Sequence, residues 1–407
     1  MSGDIERRGL VFWSVWSAAL VLNLAISASL PGTSDIQFYG TYGDTFARFG
    51  VARAYASNEI FNIPPMAAGF AALLSMAFGP GTMLFAFFFR LPGILGEAAI
   101  SAILWKTKRC PAAVAALAVL NPLSLAITGY HGNLDGLLAV FVSAALLSAA
   151  SNRPVACGIW LGLATNLKVA PVLIGPAFFF WWFRRGSTLR FTTAVVLTTI
   201  AGWSPALIEC PGLFASRVLS YSSVWGQWGI SRLLYLTNAD AFHTITYGTP
   251  SRIAGSIAAA LKLIVLATAT AFAWRRRKED AHGLIGTVAM TWTLFLVLTP
   301  AGAPQYLIWP LLPLLLYEAR LGIWYAVSAI PALAIYYLPL TAFLLPGIPI
   351  AEWVETSPYL SGAQGWAGPA LCLWGCAVAI LILRFPNCWS LNNDQSAAPR
   401  LKPDRPV

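Results

Sequence analysis

One feature recurs along the whole chain: an apolar run of about 20 residues bounded by charged, Pro or Gly punctuation, the length an α-helix needs to cross the hydrocarbon core of a bilayer. Such runs occupy 10–30, 82–105, 110–130, 134–150, 191–208, 254–274, 282–300, 306–318, 321–340 and 365–385. The stretch Pro154 to Phe183 has basic residues at both ends and a polar break at Asn166 and Lys168, which predicts a hairpin of two short helices. Backbone polar groups in lipid must bond to one another, so segments of this kind fold as helices. The expected architecture is an all-α polytopic membrane protein with about 12 transmembrane helices. A single domain, 1–385, holds them, and a polar, Pro-containing tail, 386–407, is expected to be cytoplasmic and disordered.

Only 10% of the 407 residues are charged and 58% are hydrophobic, whereas soluble chains carry about 25% charged residues. That excludes a water-facing globular enzyme and a nucleic-acid binder, despite a formal charge of +10. The positive charge has a topological reading. With the N-terminus inside, Lys106, Lys108, Arg109, Arg153, Arg184, Arg185, Arg190, Arg275 to Lys278, Arg320, Arg384 and the basic residues of the tail share one side. Only Arg48, Arg53, Arg217, Arg232 and Arg252 fall on the other, which is the positive-inside asymmetry. Both termini are then cytoplasmic, and the short inner loops favour a multi-pass protein of a bacterial cytoplasmic (inner) membrane. The run 10–30 follows Arg7 and Arg8 as a signal peptide would, but Asp4 and Glu6 precede it and many spans follow, so it reads as a retained first helix. Cys110, Cys157, Cys210, Cys372, Cys376 and Cys388 form no CxxC pair and specify neither disulfides nor a zinc site.

On this threading the long connections, Pro31 to Asn62, Glu209 to Ser251 and Thr341 to Gln364, lie outside, where function is expected. In the first, Phe38, Tyr42, Phe46 and Phe49 recur at helical spacing, which suits an interfacial helix in the headgroup region. Met66 to Phe78 is short for a span and reads as a second interfacial or re-entrant segment. Ionisable groups at membrane depth or at helix mouths are costly and are functional candidates by default. Asp35 opens the first loop, and His131 and Asp135 lie in Gly129-Tyr130-His131-Gly132-Asn133-Leu134-Asp135. Lys168 tops the hairpin, Arg232 lies in the second long loop, and Gln305 and Tyr306 follow the Pro300 to Pro304 turn.

Structural readings compete with these roles. Arg90 and Glu97, seven apart on one face, suit an intramembrane pairing or two separate helix contacts. His131 beside Gly132 suits a turn cap, Lys168 a snorkelling side chain, and Asp44 a helix N-cap. His243 and His282 read as solvated loop residues. No spacing suggests a metal site, a nucleophile elbow or a phosphate loop.

Several pieces stand in a telling order. They are Ser34-Asp35-Ile36-Gln37-Phe38-Tyr39, Gly50, Tyr55, Ile63-Pro64-Pro65, Arg90-Leu91-Pro92 through Glu97, and Asn121-Pro122 before His131-Gly132-Asn133-Leu134-Asp135. Leu161-Gly162-Leu163-Ala164 then leads into Lys168-Val169-Ala170-Pro171, followed by Trp228-Gly229-Ile230-Ser231-Arg232 and Pro304-Gln305-Tyr306-Leu307-Ile308-Trp309 with Pro310 and Pro313. In order and topological side they resemble the GT-C superfamily of integral-membrane glycosyltransferases, the bacterial family 87 type above all. A more distant resemblance is to the eukaryotic enzyme that adds the first mannose to glycosylphosphatidylinositol. The resemblance covers residues 10–340, and no one piece is specific alone. It implies a polyprenyl-phosphate sugar as donor and a catalytic acid in the first outer loop, the position of Asp35. Relatives often carry Asp-x-Asp where this chain has Asp35-Ile36-Gln37. No divalent metal or other cofactor is therefore expected, and Asp44 stands as a second candidate base.

The activity so implied is inverting transfer of a hexose, mannose among the candidates, to a lipid or glycan acceptor on the non-cytoplasmic face. The chemistry suits the residues. A lipid phosphate is already a good leaving group, so one carboxylate can suffice to take the acceptor proton. Fixed donors at the outer mouth, Lys168, Arg232, His131 and the Gln305/Tyr306 pair, with Asp135 among them, would bind the donor and stabilise the departing phosphate, and direct displacement inverts the anomeric carbon. The competing reading is a polytopic transporter or lipid flippase of envelope precursors, which predicts repeated halves and a midplane site on broken helices. A structural subunit of an envelope-synthesis complex is a third.

Overall fold

The computed structural model describes residues 2–57, 61–107, 110–220, 231, 234–237, 239–241, 251–299 and 302–344. Arg232, His243, most of the second long loop, the run 365–385 and the tail lie outside the described residues. Among the described residues the elements are all helical. They run α1 (Ser2–Ser29), α2 (Ser34–Ser57), α3 (Pro65–Phe78), α4 (Met83–Lys106), α5 (Ala112–Leu117), a π-helical segment (Ser124–His131), α6 (Asp135–Ala150) and α7 (Pro154–Leu167). A 3-10 turn (Ala170–Ile174), α8 (Gly175–Phe183), α9 (Thr188–Glu209), the short α10 (Pro211–Phe214), a second π-helical segment (Ala215–Leu219) and α11 (Arg252–Arg276) come next. Last are α12 (Ala281–Leu298), a 3-10 turn (Pro304–Ile308), α13 (Leu311–Tyr317) and α14 (Ala319–Leu344).

Among the described residues five helices are long and apolar enough to cross a membrane: Arg7–Ser29 of α1, then α4, α9, α11 and α12. Several other runs expected as single spans are shorter or divided. The run 110–130 splits because Pro122 brings no backbone N–H, while the Asn121 side chain closes α5 on the Leu117 carbonyl and accepts from the Ser124 N–H at 2.8 Å. The run 306–318 is divided between a 3-10 turn and the seven residues of α13. Pro154 to Phe183 does form two short helices, α7 and α8, with Lys168 at the break.

Helices α2 and α3 pack antiparallel at glycine contacts. A Cβ on Gly43 would lie 2.5 Å from the Ala71 carbonyl, and Ser75 Oγ donates to the Gly40 carbonyl at 3.1 Å. Tyr39, Tyr42, Tyr55 and Phe61 enter the main core, while Phe38 and Phe49 point outward. Helices α1 and α4 are also antiparallel. Phe12 stacks on Trp105 at one end, with ring centroids 4.6 Å apart, and Arg90 reaches the last carbonyls of α1 at the other.

The same alternation gathers the end of α1 and the starts of α2, α4 and α6 with the end of α7 and the 304–308 turn. The opposite end of the bundle carries Lys106, Arg153, Arg184, Arg185, Arg190, Arg276 and Arg277, at the far ends of those helices or of their partners.

Candidate functional site

Asp35 stands in the first turn of α2, where the unpaired N–H groups of a helix favour a carboxylate. Thr33 fixes that turn. Its Oγ1 accepts from the Asp35 N–H at 3.3 Å and donates to the His131 carbonyl at 2.8 Å, and its own N–H donates to the same carbonyl at 3.1 Å. The start of α2 is thereby tied to the end of the first π-helical segment. Gly132 ends that segment at φ 86°, a left-handed conformation in which a Cβ would also collide with Ile36.

This turn aims two side chains at one carboxylate oxygen. Asp35 Oδ2 accepts from His131 Nε2 at 3.0 Å and from Asn133 Nδ2 at 2.7 Å. Oδ1 has no hydrogen bond among the described residues, and the side chain is 30% exposed. The Asn133 amide is oriented from behind, because its Oδ1 accepts from the Tyr39 hydroxyl at 3.0 Å and from the Leu134 N–H at 2.7 Å. Burial, with Asp135 and Asp35 nearby, pushes the Tyr39 phenol well above its ordinary value, so it stays a donor. Burial alone would raise the Asp35 carboxyl. The His131 ring, the hydrogen bonds from His131 and Asn133, and the Lys168 charge outweigh it and hold Asp35 below its ordinary value. An ionised carboxylate only accepts, so His131 carries its proton on Nε2.

A second acid lies beside the first. Asp135, in the first turn of α6, is fully buried; both its oxygens accept from Lys168 Nζ, at 3.0 and 2.8 Å, and Oδ1 also accepts from Trp309 Nε1 at 2.8 Å. Lys168 is released to reach it because α7 stops at Leu167 and the chain turns extended. Its ammonium lies 4.8 Å from the Tyr306 ring centroid, and Tyr306 stacks on Trp309 at 4.3 Å. Gln305 is buried in the same turn. Lys168 is therefore a cation already bound to a carboxylate, not a free one.

Asp35, His131, Asp135, Lys168 and Tyr306 thus form one cluster, with Gln305 in the adjoining turn. Asp44 stands apart. It lies inside α2, about 13 Å along the helix from Asp35 at 1.5 Å per residue, and pairs with Arg48 at 2.8 Å on an exposed face. Reading it as an N-cap is corrected, since Thr33 caps this helix and Asp44 is eleven residues further in. Arg90 and Glu97 make separate helix contacts. Arg90 Nη1 donates to the carbonyls of Ser27, Leu30 and Gly129, while Glu97 accepts from Ser124 and Thr128 at 2.7 and 2.6 Å. His282 is exposed, as expected, but it sits in the first turn of α12 stacked on Tyr317 rather than in a loop. Thr33, Asn133 and Trp309 were not among the expected site residues. Asn133 carried a usable signal, its place between His131 and Asp135.

Among the described residues no cluster of three or more His, Cys, Asp or Glu could hold a metal ion. Fold and composition define the class as a helical membrane protein. Comparison with protein-family models finds no match, and no curated protein matches the sequence.

Proposed function

We propose that this protein is an integral-membrane glycosyltransferase that moves a hexose from a polyprenyl-phosphate sugar to a lipid or glycan acceptor, with Asp35 as the general base. The observation that carries the reading is the asymmetry of the Asp35 carboxylate: one oxygen is anchored by His131 and Asn133, and the other is unbonded and partly exposed. That is what a base needs. It must be ionised, held in place, and open toward the hydroxyl it deprotonates. The acceptor O–H gives its proton to Oδ1, and its oxygen bonds to the anomeric carbon. The bond from that carbon to the phosphate oxygen breaks on the opposite face, and the polyprenyl phosphate leaves with the electron pair.

The Asp135–Lys168 pair is internally neutral, so its help to the phosphate is directional: Nζ has three donors and Asp135 occupies two. Arg232, in the second long loop, is the proposed source of net positive charge. Asp44, the second candidate base, is engaged by Arg48. The proposed orientation places both termini in the cytoplasm and the Asp35 end outside, in a bacterial inner membrane. Of the ionisable groups at span depth, Glu97 is engaged by Ser124 and Thr128 and Arg90 Nη1 by the carbonyls of Ser27, Leu30 and Gly129, while Lys262 lies midway along α11.

The test is to reconstitute the purified protein in vesicles with a panel of radiolabelled polyprenyl-phosphate hexoses and lipid acceptors. One donor should give labelled product of inverted anomeric configuration. No transfer from any of them, together with movement of a lipid-linked precursor between leaflets, would replace this reading with transport.

A further inference from the structure

A second polar cluster lies at the basic end of the bundle, remote from Asp35 and independent of the transferase reading. A cavity of about 430 Å³ opens there, lined by Ala149, Ala150, Asn152, Trp181, Arg185 and Ala281. The three alanines leave room, and the three larger residues supply donors. We propose that this cavity binds the phosphate of an anionic membrane-lipid headgroup.

Each donor lacks a better use. Trp181 is 5% exposed, and its indole N–H is buried with no hydrogen-bond partner among the described residues. The Arg185 guanidinium carbon lies over Trp181, 3.2 Å from the ring centroid, and one nitrogen donates to the Trp181 carbonyl at 3.2 Å. Its other nitrogens make no hydrogen bond among the described residues, which leaves part of the planar fork free for phosphate oxygens. Asn152 holds a left-handed conformation, φ 55°, in the tight turn between α6 and α7; its backbone N–H donates to the Ala149 carbonyl at 3.0 Å, and its side-chain amide makes no hydrogen bond among the described residues.

Ala281 adds the first turn of α12, whose 18 residues direct the positive end of their dipole here. The opposing charge is Asp280, which caps α12 by accepting from the Gly283 N–H at 3.2 Å and lies near Arg185. Glu279 is committed to Arg276. Arg153, Arg184, Arg190 and Lys278 stand at the same end, so the balance is positive. A membrane lipid fits this place better than a soluble anion, because the cavity lies among the basic helix ends of an apolar bundle, at the level where lipid headgroups lie. Basic pockets between helix ends are where anionic headgroups bind.

The experiment is native mass spectrometry of the full-length, delipidated protein titrated with dioleoylphosphatidylglycerol, dioleoylphosphatidylcholine or inorganic phosphate. The wild type should retain phosphatidylglycerol at least tenfold better than phosphatidylcholine and should not retain inorganic phosphate. Arg185→Gln should abolish that preference, and Trp181→Phe, which removes the N–H and keeps a ring, should weaken it several-fold. Arg190→Gln, an exposed charge at the same end, should leave it within twofold. Equal losses in Arg185→Gln and Arg190→Gln would overturn the proposal in favour of diffuse charge. Retention of inorganic phosphate alone would overturn the lipid assignment, and an unaltered preference in both Arg185→Gln and Trp181→Phe would remove the site.

Discussion

At the residue scale, the two aspartates of the cluster differ in what they can do. Asp35 is anchored on one oxygen and open on the other, whereas Asp135 is buried with both oxygens bonded. Asp35 is held below its ordinary 3.8, so it stabilises the fold above that value and loses the contribution as pH falls through its depressed folded value. Replacing His131 with Gln keeps a donor and removes the ring that most lowers Asp35. The acid limb of the kcat/KM profile should therefore move to higher pH, and an unmoved limb would separate His131 from the base. Lys168→Met should act first on stability, because it strands a buried carboxylate, a loss of about 3 to 5 kcal/mol for a broken buried pair. Adding Asp135→Asn should restore most of that. Thermal unfolding of the two single variants and the double variant measures it, and simple additivity would show that the pair is not coupled.

At the element scale, apolar run length was the legible signal. It placed α1, α4, α9, α11 and α12, because in lipid a long apolar segment has helix as its outlet for backbone hydrogen bonds. The division of 110–130 was not legible from run length, since it depends on a side chain, Asn121, bonding its own backbone beside Pro122. The two acid clusters were legible only as candidates. Asp35 meets His131 across 96 positions and Asp135 meets Lys168 across 33, pairings that no local pattern fixes. The placement of Asp44 failed for a related reason, because Thr33, Ser34 and Asp35 all suit a cap and the sequence does not say which residue opens α2. Two variants test the elements that hold the site. Gly43→Ala would drive a methyl into the Ala71 backbone, which cannot swing aside, and should lower stability by about 1 to 3 kcal/mol. Arg90→Met would release three carbonyls at the ends of α1 and the first π-helical segment, and should cost at least about 2 kcal/mol given the strength of charged hydrogen bonds. Denaturation in detergent, followed by loss of helical signal, checks both.

At the scale of the whole molecule, the described helices set a polar cluster at one end of the bundle and basic turns at the other, which is the arrangement a one-sided membrane enzyme would need. If the basic end is cytoplasmic, Ser34→Cys in a chain freed of its six cysteines should react with an impermeant maleimide on intact cells. Labelling only after permeabilisation would reverse the orientation. The central claim is that the open oxygen of Asp35 takes the acceptor proton. It is tested most directly by the single-turnover transfer rate of Asp35→Asn beside Asp44→Asn in the same vesicles. Loss of a general base is worth about 10² to 10⁴ in rate, so Asp35→Asn should fall by that factor while still folding and retaining donor lipid, and Asp44→Asn should stay near the wild-type rate. Full transfer by Asp35→Asn with abolition in Asp44→Asn would contradict the account.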